Sequence, residues 1–348
     1  MTIVVLKLPD VKVKSETRPT HCPSCQGEIL QRWGGQPRRI RDPQIREVAV
    51  YRYRCCACRH TFRHYPLGVD QAQQSQRLRK LAALCWRLGL SYRGIAAVLA
   101  AFGVGISRMS AWRDAQELAG QLKRKRIWKP VRVLGLDGVY VRAWGEVRPV
   151  LVAVDLGEGQ PVAIGCVDEY DPEAVRRFLE PLVKRLGVSV VVTDDLVHYK
   201  KVAQRLDLEH QICQFHVRRW VGRTLKELSR SIPEEWLWVI DEIKKLMAEL
   251  PLEGSKRLYE LWKQIPLGRH GRMYQPLSAL DQLRQLLLRL SEHWPQYRIF
   301  DWQPDVPWTN NGTEQVIGRM KMRSRTVRGY KTQPGMLNGL MLAGTSLG

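Results

Sequence analysis

The chain has 348 residues, of which 44% are hydrophobic and 26% are charged. This is the composition of a folded globular protein and excludes wholesale disorder or a fibrous repeat. At about 150 residues per domain, the length predicts roughly two or three domains. The net charge is +22 and the pI is near 10.0, so the expected partner is a polyanion. No apolar run reaches the roughly 18–20 residues that span a bilayer. The opening residues do not have the flanks of a signal peptide. We therefore expect a cytoplasmic protein with reduced cysteines and no membrane partner.

Two Cys-x-x-Cys pairs lie near the amino terminus. In a reducing compartment, two such pairs separated by a few tens of residues are typical of a tetrahedral Zn²⁺ site. We therefore expect residues 1–70 to form a zinc ribbon, with Cys56 as a less well spaced substitute for Cys55. Because this stretch is rich in arginine, it is expected to bind DNA, and a solvated basic face is the alternative. The predicted zinc ligands are Cys22, Cys25, Cys55 and Cys58.

Residues 76–122 have a helical pattern of apolar residues. Gly89 ends the first run, Ser91 can cap the second, and Ser107 or Ser110 is expected to begin a third helix. Three helices with a short glycine-containing connection are typical of a helix-turn-helix DNA-binding domain, and plain three-helix packing is the alternative. The residues of the third helix expected to contact DNA are Arg108, Trp112 and Arg113.

A run of four cations follows these helices. Residues 123–130 are predicted to form a basic linker that lies along DNA phosphates, and a solvated hinge is the alternative. The four cations are Lys123, Arg124, Lys125 and Arg126.

Strands replace helices at Val131. Three apolar runs at short spacing, over residues 131–137, 150–155 and 161–167, predict an antiparallel meander. A helix and a wholly apolar run at residues 188–193 follow, and that run predicts a buried central strand. This order is typical of a ribonuclease-H-like fold with carboxylates at the ends of adjacent strands.

Three acidic residues lie at positions from which their carboxylates could meet at one site. Asp137 ends the first strand, Asp194 ends the central strand, and Glu314 lies in the first turn of a later helix, behind several residues able to cap it. Carboxylates hold pairs of Mg²⁺ or Mn²⁺ ions that cleave phosphodiesters by in-line attack. Asp195 is the alternative to Asp194, whereas Asp155 is interpreted as a turn residue. Taken singly, each acid also fits an ordinary strand-end turn or a charge matched to a helix dipole.

The chain resembles DDE transposases of bacterial insertion sequences, in particular those, including the Mutator-like group, that carry a helical insertion before the final glutamate. The passages that carry this resemblance are residues 134–138, 192–195, 213–216 and 309–330. The resemblance implies metal-dependent cleavage at the terminal inverted repeats of a transposon, followed by joining of the 3′-hydroxyl to target DNA. It also implies that the magnesium-binding catalytic triad is Asp137, Asp194 and Glu314.

Further expectations follow from the same resemblance. The partners would be double-stranded DNA at the transposon ends and at the target, and the protein would act as a homodimer or higher oligomer on paired ends, associated with the nucleoid. A Cys-x-x-His at the place of Cys213 and His216 accompanies the catalytic core of the Mutator-like group, so His216 would contact the scissile phosphate or orient a metal ligand. A structural cysteine with a capping histidine is the equal alternative, because two ligands cannot complete a zinc site.

The remaining sequence predicts an insertion and a basic tail. Residues 217–300 have helical apolar spacing, and their tryptophans are expected mostly in a core, with stacking on DNA bases as the alternative. On a helix, Glu314, Gly318, Lys321 and Arg325 share one face, as expected where DNA passes a metal site. The cations of the tail expected to bind DNA are Arg319, Lys321, Arg323, Arg325 and Arg328.

The prediction is therefore a multidomain α/β protein, in which an all-α insertion interrupts a ribonuclease-H-like catalytic core and a zinc ribbon and a helical DNA-binding domain precede it. The core comprises residues 131–216 and 301–348. Two rival functions remain: a catalytically inactive or domesticated DNA-binding regulator, and a ribonuclease-H-like nuclease or resolvase that cuts without joining. The complete acidic triad disfavours the regulator, and the two DNA-reading modules disfavour the nuclease.

Overall fold

The computed structural model describes residues 8–126, 129–268 and 277–346. The chain separates into two compact units. The first comprises Met1–Lys125, Arg142–Gly145 and Arg319–Gly348, and the second comprises Arg126–Val141 and Glu146–Gly318. Residues 301–348 are predicted to belong to one catalytic core, whereas in the structure the residues after Gly318 lie in the first unit. None of the helices in the described ranges is both long and apolar enough to cross a bilayer.

The first unit begins with a three-stranded antiparallel sheet in the order β1-β2-β3. Its strands are β1 (Leu30–Arg39), β2 (Glu47–Cys55) and β3 (Thr61–His64). Val48 and Val50 of β2 alternate with more exposed residues and pack into a small core, which is the period-two pattern of a half-buried strand. Because β2 ends at Cys55, the sheet itself positions the second cysteine pair.

Three helices and the carboxyl-terminal helix complete this unit. They are α1 (Gln76–Arg87), α2 (Tyr92–Ala101), α3 (Arg108–Arg126) and, near the end of the chain, α12 (Gln333–Gly344). The predicted cap is confirmed at Ser91, whose hydroxyl accepts from the Gly94 amide at 3.0 Å. Residues 123–126, predicted as linker, instead form the last turn of α3. Leu342 and Ala343 of α12 share one apolar core with α1–α3.

The second unit contains a five-stranded sheet in the order β6-β5-β4-β7-β8. Its strands are β4 (Val133–Ala143), β5 (Glu146–Asp155), β6 (Gln160–Gly165), β7 (Val190–Thr193) and β8 (Glu209–Ile212). The β5–β6 pair is antiparallel, whereas β7 is parallel to both β4 and β8. The mixed α/β architecture is thereby confirmed. β7 is buried, as its apolar sequence predicts, and lies inside the sheet, but the central strand is β4.

Helices connect and extend this sheet. They are α4 (Pro172–Leu186), α5 (Val197–Arg205), α6 (Gln214–Leu228), α7 (Leu237–Glu249), α8 (Gly254–Gln264), α9 (Ala279–His293), α10 (Ile299–Trp302) and α11 (Asn311–Thr326). Asp171 caps α4 through the amides of Glu173 and Ala174. Apolar residues from the described parts of this segment, 217–268 and 277–300, share one core, in which Trp294 is buried and Trp236 and Trp262 pack at the edge. The helical character of this segment and the core position of most of its tryptophans are as expected.

Candidate active site and metal centre

The register of two parallel strands brings Asp137 and Asp194 together. Gly135 of β4 pairs with Val192 of β7, so extending the register by two residues places Asp137 beside Asp194. Adjacent strands lie about 4.8 Å apart and residues at matched positions point to the same face. The prediction that the strand ends at Asp137 is wrong, because β4 continues to Ala143. The carboxylate therefore projects from within a strand, just beyond the segment that pairs with β7.

Hydrogen bonds tie the start of α11 to strand β4 and to the residue that follows β8. The Asn310 side-chain amide donates to the Leu136 carbonyl at 2.8 Å, next to Asp137. The Asn310 backbone amide donates to Cys213 Sγ at 3.2 Å, immediately after β8. The Thr313 hydroxyl in turn donates to Asn310 Oδ1 at 2.5 Å. Since Glu314 follows in the first turn of α11, as predicted, these bonds position its carboxylate at the end of the sheet that carries Asp137.

Cys213 and His216 lie beside this glutamate. His216 Nε2 is 3.6 Å from Glu314 Oε1, and ligand atoms of Cys213, His216 and Glu314 all lie within 4.8 Å of one another. The hydrogen bond with Cys213, together with the negative charges of Glu314 and Asp194, raises the pKa of His216 to about 8. At neutral pH His216 is therefore mostly a cation placed among the predicted catalytic acids.

Glu169 is a fourth acid at the site that sequence analysis missed. It lies in the loop between β6 and α4, where the Tyr199 hydroxyl donates to its Oε2 at 3.0 Å. Gly138 gives it room, because a Cβ at that position would lie 2.4 Å from the Glu169 carboxyl carbon. The only signal in the sequence was the acidic run around residues 168–171, which by itself resembles the cap of α4.

Burial and the neighbouring carboxylates raise the pKa values of Asp137 and Asp194. Burial, followed by the carboxylates of Asp194 and Glu169, raises the pKa of Asp137 to about 7. Burial and then Glu169 raise the pKa of Asp194 to about 6. Asp194 Oδ1 and Glu314 Oε1 are buried and accept no hydrogen bond from the described residues, which is costly unless a cation binds them.

The two alternative aspartates have other partners. Asp195 Oδ2 accepts from Arg289 Nη2 at 2.7 Å, in a salt bridge within the second unit. Asp155 Oδ1 accepts from the amides of Gly157 and Glu158, which is the turn role predicted for it. Of Asp194 and Asp195, it is therefore Asp194 that has a carboxylate oxygen without a hydrogen bond from the described residues.

The four predicted zinc ligands converge in the first unit. Cys22 and Cys58 have their sulfurs 3.7 Å apart, and those of Cys25 and Cys55 are 3.6 Å apart. A tetrahedral site with Zn–S bonds of about 2.3 Å separates its sulfurs by about 3.8 Å, so the spacing suits zinc. The Cys58 amide, among other groups, lowers the pKa of the Cys55 thiol to about 7. Cys56 is exposed and lies outside the cluster.

The cations predicted to bind DNA divide into two sets. Most are exposed and available to a ligand; these are Arg108, Arg113, Arg124, Lys321, Arg325 and Arg328, together with Trp112. The side chains of Lys125 and Arg126 lie outside the described part of the structure. Lys123 is partly buried and donates to Asn338 Oδ1 at 2.7 Å, and Arg319 donates to the Gly344 carbonyl at 2.8 Å.

The assignment of Arg323 to DNA binding is corrected by its burial. Its side chain is only 5% exposed, its guanidinium lies 4.3 Å from the Trp86 ring centroid, and it donates to the Leu90 carbonyl at 3.0 Å. Its place in a run of cations suggested the surface, because sequence does not show that α1 and the α1–α2 turn cover this face of α11.

We expect Arg323→Ala to lower the free energy of unfolding by about 2 kcal/mol, because it removes charge-assisted hydrogen bonds and leaves a buried carbonyl unpaired. Arg325→Ala, two residues along the same helix but exposed, should change stability by less than about 0.5 kcal/mol. Denaturant unfolding of both variants measures this. Equal stability of the two would contradict the structural role of Arg323.

Gly135 permits the close contact between β4 and α11. A Cβ at this position would lie 2.1 Å from Thr313 Oγ1 and 2.6 Å from Asn310 Oδ1, and both are short, buried side chains. We expect Gly135→Ala to destabilise the fold by about 1–3 kcal/mol through overpacking and to displace Glu314. Gly222→Ala on α6 is the control, because its added methyl meets nothing within 4 Å and should stabilise the helix slightly. Unfolding titrations that rank the two variants the other way would refute the contact.

Comparison with known proteins gives the class of protein. The model of the Transposase IS66 family matches residues 168–338, which include Asp194 and Glu314. A transposase for insertion sequence element IS257 in transposon Tn4003, from Staphylococcus aureus, is 25% identical over 187 residues, covering 51% of this chain and 80% of that relative. The predicted resemblance is confirmed: the chain is related to the DDE-type transposases of insertion sequences. The finer likeness to the Mutator-like group stays a prediction.

Two solved structures overlap the chain only loosely. The Drosophila P element transposase strand transfer complex aligns with 76% of this chain and 78% of its own, at 10% identity and a TM-score of 0.29. The simian T-cell lymphotropic virus intasome in complex with PP2A regulatory subunit B56 gamma aligns with 58% of this chain and 73% of its own, at 14% identity and a TM-score of 0.22. Overlaps at these TM-scores do not establish a shared fold.

Proposed function

We propose that this protein is a divalent-metal-dependent DDE transposase with a ribonuclease-H-like core. It binds the terminal inverted repeats of its element, cleaves the DNA there, and joins the freed 3′-hydroxyl to target DNA. The observation that carries the proposal is that Asp137 and Asp194 lie side by side in the register of β4 and β7, and that the start of α11, which carries Glu314, is hydrogen-bonded to β4 next to Asp137.

The residues present fit Mg²⁺ or Mn²⁺. Carboxylate oxygens are the ligands that these ions prefer, and two buried ones have no hydrogen-bond partner among the described residues. Asp137, Asp194 and Glu314 would hold the metal, and Glu169 adds negative charge beside them. When bound, the metal supplies positive charge that stabilises an in-line displacement at phosphorus. The raised pKa values of Asp137 and Asp194 support the same assignment, since a bound cation would offset both the burial and the repulsion that raise them.

The protein's own residues prepare this site. Asn310 and Cys213 hold the first turn of α11, and so Glu314, in place. His216 neutralises part of the acidic charge from within salt-bridge distance of Glu314, which supports a role in orienting that ligand over a purely structural one. The exposed Lys321 and Arg325 follow Glu314 on one helix and would attract the phosphates of a DNA strand.

The amino-terminal modules would supply sequence recognition. One of these modules is the arginine-rich ribbon, which Zn²⁺ would stabilise through its four cysteines. The other is the helical domain, which would contact the ends of the element through the exposed Arg108, Trp112 and Arg113 at the start of α3. Joining two ends in one event requires at least two active sites, so we propose that the protein works as a homodimer or higher oligomer on paired ends.

Incubation of the full chain with DNA carrying its flanking repeats, Mg²⁺ and a supercoiled target tests this proposal. We expect cleavage at the repeat ends and covalent joining of the 3′ ends to the target, both resolved on sequencing gels. Cleavage without joined product would support the nuclease instead, and repeat binding without cleavage would support the inactive regulator.

A further inference from the structure

An open pocket of about 440 Å³ lies beside the candidate active site, and no step described so far uses it. It has two exposed aromatic side chains, two arginines and two small polar residues. The lining residues are Phe215, Arg218, Arg219, Trp308, Thr309 and Asn311. We propose that this pocket binds one unstacked nucleobase, together with the phosphate next to it, from DNA at the cleavage site. The inference rests on the proposed function, because it assumes that DNA reaches the acids.

The aromatic side chains supply the stacking surface. Trp308 is 52% exposed and Phe215 is 49% exposed. Exposed aromatic rings grouped at one pocket are unusual on a protein surface and mark binding sites. A ring face binds a base by stacking, and only a base that has left its duplex stack offers its own face.

The two arginines of the pocket indicate that its ligand carries negative charge. The Arg218 guanidinium lies 5.7 Å from the Trp308 ring centroid, so it borders the same space as the ring. Arg219 is exposed and makes no ion pair or hydrogen bond with the described residues. A mostly apolar pocket bordered by two guanidinium groups complements a flat aromatic ligand that carries an anion, which describes a nucleotide.

The pocket is adjacent to the predicted catalytic residues along the chain and in space. The Phe215 ring centroid is 5.6 Å from that of His216, and His216 Nε2 is 3.6 Å from the Glu314 carboxylate. Asn311, on the pocket wall, begins the helix whose first turn carries Glu314. A base held here therefore belongs to a nucleotide near the scissile phosphate.

Binding in a buffer without Mg²⁺ or Mn²⁺, and without a chelator that would remove Zn²⁺ from the ribbon, tests the pocket independently of catalysis. The probes are a random-sequence blunt duplex and the same duplex with a single-stranded overhang. Fluorescence anisotropy measures the affinity of the full chain for each probe. We expect the wild type to prefer the overhang. Trp308→Ala should weaken overhang binding about tenfold, the loss of one stacked base, while leaving blunt-duplex binding unchanged. Trp308→Phe, which keeps an aromatic face, should restore most of the preference.

A matched control and a second readout complete the test. Trp302 is equally exposed, at 52%, but lies outside the pocket, so Trp302→Ala should bind both probes like the wild type. With 2-aminopurine in the overhang, the wild type should change its fluorescence and Trp308→Ala should not. Identical behaviour of the two alanine variants, or an unchanged 2-aminopurine signal with wild type, would overturn the proposal. Because no Mg²⁺ or Mn²⁺ is present, a chain that fails to cleave DNA can still pass or fail this test.

Discussion

Asp137→Asn, Asp194→Asn and Glu314→Gln, tested one at a time, are each expected to abolish DNA strand cleavage and joining while leaving repeat binding intact. Each change keeps the size of the side chain and removes one anionic ligand, so the site should lose divalent-metal affinity without losing its shape. Gel assays measure cleavage, and calorimetric titration with Mn²⁺ measures metal binding independently of activity.

The same substitutions make a prediction about stability in the absence of metal. Ionised Asp137 is disfavoured in the folded chain, because its pKa is raised from 3.8 to about 7 by burial and by the neighbouring carboxylates. The folded state therefore binds its proton more tightly than the unfolded state, and stability falls as pH rises from about 4 to about 7. Asp137→Asn should raise the free energy of unfolding at pH 8 by a few kilocalories per mole, and the gain should disappear near pH 4.

Asp155 provides the matched control for these variants. It also ends a strand of the sheet, but it accepts hydrogen bonds from the turn that follows it. Asp155→Asn should therefore retain metal binding and cleavage. If Asp155→Asn inactivated the protein as fully as Asp137→Asn, or if any of the three site variants retained cleavage, the choice of metal ligands would be wrong.

The second large effect is expected at the cysteine cluster. Cys22→Ser or Cys58→Ser should reduce bound zinc from about one ion per chain to near zero. Because metal binding contributes on the order of 10 kcal/mol to the folding of small zinc modules, the ribbon should unfold locally and binding to the repeat ends should weaken. Metal-site chemistry at Asp137 should be unaffected. Elemental analysis of the purified protein and binding assays in parallel measure both outcomes.

Cys56→Ser is the control for the zinc prediction. Cys56 is adjacent to Cys55 but exposed and outside the cluster, so its substitution should leave both zinc content and DNA binding unchanged. If the purified wild-type protein contained no zinc, the assignment of a zinc site to the four cysteines would be wrong. Loss of zinc in Cys56→Ser equal to that in Cys58→Ser would defeat the choice of ligands.

Local patterns in the sequence predicted the elements well, and long-range contacts account for what they missed. The apolar run before Asp194 and the cap at Ser91 depend on neighbours in the chain, which sequence shows directly. The close approach of Glu169 to Gly138 depends on residues about thirty apart that the fold brings together. The burial of Arg323 likewise depends on helices more than two hundred residues earlier, so its charge alone suggested the surface.

The acids themselves were found because strand ends and helix starts are visible in sequence, but their order along the chain did not show how they meet. The parallel pairing of β4 with β7, which crosses more than fifty residues, decides that Asp137 lies beside Asp194. Spacing in the sequence also could not decide whether Asp194 or Asp195 is the candidate metal ligand. The structure favours Asp194, because Asp195 is paired with Arg289, a residue of the helical insertion.

The anchoring of Asn310 has a consequence for how such proteins can diversify. The Asn310 side chain is hydrogen-bonded to the Leu136 carbonyl, and its backbone amide to the Cys213 sulfur. These local bonds fix where the chain returns to the sheet after the helical insertion, whatever route the preceding hundred or so residues take. Grafts, deletions or enlargements among helices α7–α9 could then be accommodated without shifting Glu314, so this part of the chain could change while the candidate active site is retained.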